Sequence, residues 1–121
     1  MRLPKSIFNK LELKGTEVDL VQFLEDSRGI DPNIFSRVEE NPLCFNNFLP
    51  LSEVIFHSSQ IELERLRLEK WGCPSDALST SVEILDRKML LRFITGDLPP
   101  TKLIQALKNR YPRIEFKHTI D

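Results

Sequence analysis

The sequence predicts an α+β fold in the order strand, helix, strand, strand, helix, strand, with a segment inserted between the first helix and the second strand. Three observations predict it. Two alternating apolar runs, residues 78–85 and 88–95, meet at Asp86-Arg87. Pro99-Pro100 opens a helix pattern that Pro112 closes. An alternating run at the N-terminus leads straight into a helix cap at Thr16. With 121 residues and a mass of 14.1 kDa the chain is one domain, 1–121, with the insertion at about 30–77. A chain of this size buries roughly two thirds of its unfolded surface.

The first strand is SIFNKLELKG. Ile7, Leu11 and Leu13 share one face, interrupted by Asn9, and Phe8, Lys10 and Glu12 share the other. Thr16 caps the first helix, with Asp19 three residues on. Leu20, Val21, Phe23 and Leu24 form its apolar stripe, and Gly29 stops it. Residues 30–58 carry Pro32, Pro42 and Pro50 and no clean period. They read as an irregular but ordered, packed insertion. IELERLRLEKW has strong helix formers and helix-spaced pairs Glu62–Arg65 and Arg65–Glu69, and reads as a helix despite its alternating leucines.

The hairpin carries the strongest pattern. Setting Leu85 opposite Lys88 places Ile84 against Met89, Val82 against Leu91, Thr80 against Phe93 and Leu78 against Thr95. Glu83 and Arg92 then become diagonal neighbours of opposite charge on the other face. The last helix shows Leu103, Ile104, Leu107 and Tyr111 on one side. In the last strand Ile114, Phe116, His118 and Ile120 face inward. Two strand-helix-strand halves sharing one antiparallel sheet make a ferredoxin-like βαββαβ plait, with two helices on one sheet face. Phe8, Leu90 and Ile94 lie on the other face, which predicts that the 59–71 helix of the insertion covers it.

The chain resembles the YubB-type ferredoxin-like proteins, small plasmid and phage proteins. The resemblance spans nearly the whole chain. It runs from Asn9–Gly15 through Phe45–Leu51 to Trp71-Gly72 and Asp76-Ala77. It continues with Phe93, Thr95, Pro99, Pro100, Tyr111 and Pro112. It implies the same plait and no particular activity. Members usually read W-G-T-K-W before the hairpin, where this chain reads WGCPS. They also carry an aromatic before the double proline, where Asp97 and Leu98 stand here.

Several function classes are excluded or narrowed. No apolar run approaches the ~18 residues of a membrane helix, and the N-terminus lacks the pattern of a signal peptide. Cys44 and Cys73 form no C-x-x-C pair, which predicts a reducing, cytoplasmic setting. With His57 and His118 they offer no metal-ligand spacing, so neither a metal nor a cofactor is expected. Cys73 and Ser75 have no identifiable base for nucleophilic catalysis, and no catalytic residue is assigned. The outward positions Phe8, Leu90, Arg92 and Ile94 could serve an RNA-binding plait. Net charge of -1 and the absence of an aromatic-rich motif in KMLLRFIT weigh against that.

The leading expectation is a small non-catalytic interaction module of a mobile genetic element with a protein partner. The alternatives are RNA or single-stranded DNA binding, and a degenerate enzyme with its site at the 71–77 and 96–100 loops. The hairpin geometry brings those loops together. Trp71, Cys73, Ser75, Asp76 and Asp97 are therefore the candidate binding residues, with Asp97 as a candidate cap for the last helix. Trp71 also reads as a buried anchor for the insertion.

Overall fold

The computed structural model describes residues 5–29, 41–51 and 60–121. Their order is β1 (Ser6–Lys14), α1 (Glu17–Ser27), a 3-10 turn (Phe45–Asn47), α2 (Gln60–Trp71), β2 (Leu78–Leu85), β3 (Lys88–Gly96), α3 (Thr101–Arg110) and β4 (Glu115–Ile120). The protein is α+β, with a four-stranded antiparallel sheet in the order β2-β3-β1-β4. This arrangement is compatible with a ferredoxin-like plait. The rest of the predicted insertion, 30–40 and 52–59, lies outside the described residues.

Alternation sets the two faces of the sheet. Leu11 and Leu13 of β1, Met89, Leu91 and Phe93 of β3, and Phe116 of β4 enter one core. Leu20, Phe23, Leu103, Ile104 and Leu107 from α1 and α3 close over it. Thr16 caps α1 as its sequence indicates, accepting a hydrogen bond from Asp19 N at 3.2 Å. The hairpin keeps the predicted register from Leu85–Lys88 through Val82–Leu91 to Ser81–Arg92. Glu83 and Arg92 meet there at 3.6 Å. A β-bulge then places Ser79 and Thr80 opposite Phe93, so Leu78 pairs with Ile94 rather than Thr95. Ser79 takes φ +50°, which supplies the extra residue.

The insertion packs on the helix side of the sheet. Phe45 meets Trp71 edge-on at 5.4 Å and Phe93 at 5.9 Å, and Phe48 stacks on Phe23 at 5.5 Å. Asn47 Nδ2 donates to Asp26 O and Arg28 O, satisfying carbonyls at the end of α1. A Cβ on Gly29 would come within 2.7 Å of that amide, so a larger residue there would displace the Asn47 side chain from these carbonyls. The expectation that the 59–71 helix covers the second sheet face is corrected here. Trp71 ends α2 in the same core as Phe93 and Leu103, and Phe8 on the other face stays 53% exposed. Ile120 also departs from its inward assignment. It is exposed at the end of β4, the outer strand of the described sheet.

Candidate functional site

The two loops singled out from sequence do meet. Gly96 N donates to Ser75 Oγ at 2.8 Å. Their side chains, however, are largely committed to the fold. Trp71 is fully buried and its Nε1 donates to Leu49 O at 2.9 Å. Cys73 is fully buried, its Sγ donates to Ser75 O, and burial pushes the thiol up to about 12. Asp76 is buried and accepts from Phe45 N at 3.1 Å and Ala77 N at 2.7 Å, pinning the insertion to the start of β2. Ser75 is partly buried. Asp97, at φ +60°, is exposed and accepts from Lys5 N at 2.9 Å. It does not cap α3, whose N-cap Pro100 has no side-chain partner. Cys44 is buried too, its Sγ 4.0 Å from Asp76 Oδ2, and it is not disulfide-bonded to Cys73.

Two other surfaces offer more to a ligand. The first is an apolar groove between α1 and edge strand β2. Val21, Leu24, Ile84 and Leu85 line a cleft of about 290 Å³ at the turn end, with Glu17 and Arg87 at its rim. Leu24 and Ile84 continue into a second cleft of about 370 Å³ bounded by Val82, Arg28 and Pro42. Ile84 is 65% exposed and Val21 50%. The sequence contained half of this signal: Ile84 and Val82 alternate as core residues do. What it could not show is that β2 is the outer strand of the described sheet.

The second is the open sheet face. Phe8 pairs with Ile94, and Lys10 stands directly opposite Arg92. Lys88 binds Glu12 and holds its carboxyl below the usual range. Among the described residues no group of three or more His, Cys, Asp or Glu side chains is placed to hold a metal. No described helix is long and apolar enough to cross a membrane.

Comparison with protein-family models, with curated proteins and with solved structures returns no match.

Proposed function

We propose that the chain is a ferredoxin-like plait acting as a non-catalytic protein-interaction module. It takes an extended segment of a partner along edge strand β2, with the partner's side chains in the groove shared with α1. The carrying observation is Ile84, 65% exposed between Val21 and Leu85 on a strand with one edge unpaired among the described residues. Such an edge offers backbone N–H and C=O groups to an added strand, and apolar pockets give that strand its specificity. The loop residues Trp71, Cys73 and Asp76 serve this reading indirectly, by fixing the insertion behind the sheet. A role in a mobile genetic element rests on the resemblance to YubB-type proteins.

A selection of random 12-residue displayed peptides on the folded domain tests the proposal. Enrichment of apolar, β-prone peptides that is lost in Ile84→Lys supports it. A pool that survives Ile84→Lys unchanged, or no enrichment at all, overturns it.

A second reading draws on the exposed Phe8 beside Lys10 and Arg92: a platform on which single-stranded RNA or DNA stacks. Salt-dependent binding of a poly-uridine oligonucleotide that Phe8→Ala weakens at least about tenfold would favour it, since base-aromatic stacking is worth roughly 1–3 kcal/mol.

A further inference from the structure

The groove between α1 and β2 carries a charge pattern as well as an apolar lining. Its two clefts, of about 290 and 370 Å³, meet at Ile84. Glu17, the first residue of α1, and Asp86, in the turn between β2 and β3, line the cleft at the turn end, where Arg87 is the one cation. Both acidic residues are exposed, and neither makes an ion pair among the described residues. The other cleft has no acidic lining residue among those described. The groove is thus apolar along its length and acidic at one end.

The backbone of β2 adds a register. The two-residue turn makes Leu85 and Lys88 a hydrogen-bonded pair, and alternation then points the N–H and C=O groups of Ile84 and Val82 away from β3. The residues whose side chains line the clefts are therefore those that offer hydrogen bonds to an added strand. A second copy of this chain fits that offer poorly. Two-fold pairing over the regular run Ser81–Leu85 sets Glu83 directly against its own copy, and like charges so placed repel. Moving the axis to Val82 brings in the bulge at Ser79 and Thr80, and moving it to Ile84 brings in the turn.

Resting on the partner strand proposed for β2, we infer that the groove selects an antiparallel peptide segment of the pattern basic-x-apolar-x-apolar. Alternate side chains share one face of a strand, which sets the spacing of two. The two apolar side chains oppose Ile84 and Val82 and enter the two clefts. The Lys or Arg ahead of them reaches the turn, where its cation meets the carboxylates of Asp86 and Glu17. Antiparallel addition continues the pairing of the whole described sheet and is the more stable direction per residue. It places the N-terminal, basic end of the segment at the turn.

The test is fluorescence anisotropy of labelled, terminally blocked peptides titrated with the full chain. SKTVTVTS carries the pattern, SETVTVTS reverses its charge and STVTVTKS reverses its direction. At low salt SKTVTVTS should bind about tenfold more tightly than SETVTVTS, because two attractive pairs become two repulsive ones, and salt at about 1 M should nearly abolish the difference. STVTVTKS should bind more weakly than SKTVTVTS. Glu17→Gln with Asp86→Asn should bring the first two peptides within about twofold of each other. Glu17→Lys with Asp86→Lys should reverse their order, and Glu69→Gln, on α2, should change nothing. Equal affinity for SKTVTVTS and SETVTVTS, lost for both in Ile84→Lys, overturns the charge selection and leaves the docking strand standing. Tighter binding of STVTVTKS overturns the direction. No binding of any peptide, or binding that Ile84→Lys leaves intact, overturns both the selection and the docking strand. A dimer in sedimentation that Ile84→Lys disperses gives the groove to a second copy and overturns the inference.

Discussion

Gly72 sits at φ +90°, in the region that side-chain-bearing residues avoid. A Cβ there would lie 3.0 Å from Lys102 N, so the start of α3 is packed against bare backbone. Gly72→Ala should therefore cost at least about 1–2 kcal/mol in denaturant unfolding, the strain of a left-handed residue alone. Cys73 next to it makes a chemical prediction. With its thiol pushed up to about 12, essentially no thiolate exists at pH 8. Native protein should react with neither Cys73 nor the buried Cys44 in a colorimetric thiol assay, and both should react after unfolding. His118 gives a pH dependence whose sign follows from its environment. Its folded pKa lies below the ordinary 6.5, chiefly through burial and secondly through Lys108. The unfolded chain thus takes up the proton first as pH falls, and stability drops below about pH 6.5. Thermal midpoints at pH 7.5 and 5 should differ less in His118→Gln than in the parent. At this scale the sequence was only partly legible. Asn9 stood out as a polar break in an apolar stripe, but its partners are residues 95 and 118, and only the strand order joins them.

Elements were more readable where one local period decides them. β1 and α3 carry patterns that match their burial residue by residue, and the turn half of the hairpin keeps the register its pattern sets while leaving Ile84 exposed. The helix at 60–71 is a conflict between propensity and alternation, and propensity prevailed: Leu63 is buried while Ile61 is exposed. The bulge at Ser79-Thr80 left no trace in the hydrophobic pattern, because serine and threonine suit either face. Phe45 and Phe48 also had no period, since a 3-10 turn lets each aromatic enter the core by its own route. Two substitutions probe this packing. Leu107→Ala, fully buried on α3, should cost about 2–5 kcal/mol. Asp76→Ala strands the Phe45 and Ala77 amides in a buried site, at about 1–3 kcal/mol for each. Asp76→Asn, which keeps one acceptor oxygen, should lose less. Both are read from unfolding midpoints at constant slope.

For the whole molecule, the sheet order decides which apolar residues serve folding and which remain on the surface. β3 and β1 are central, so their inward side chains meet helices on one side and neighbouring strands on both. Among the described residues β2 is flanked by a strand on one side only, and its inward residues run from half-covered Val82 to exposed Ile84. Cross-strand partners Met89 and Ile84 therefore form a matched pair: they face the same way, yet Met89 is 1% exposed and Ile84 is 65%. Met89→Lys should unfold or severely destabilise the domain, because it buries an unpaired charge in the core. Ile84→Lys should shift stability by no more than about 0.5 kcal/mol, as substitutions on open surface do. If folding alone accounted for Ile84, that neutrality would extend to every property of the protein. A partner strand on β2 makes a different demand: Ile84→Lys places a charge in the groove against Val21 and Leu24, and peptide binding should disappear while the unfolding curve stays in place. Measuring both curves on the same variant separates the two. Loss of stability equal to that of Met89→Lys would return Ile84 to the core and remove the groove as a docking surface.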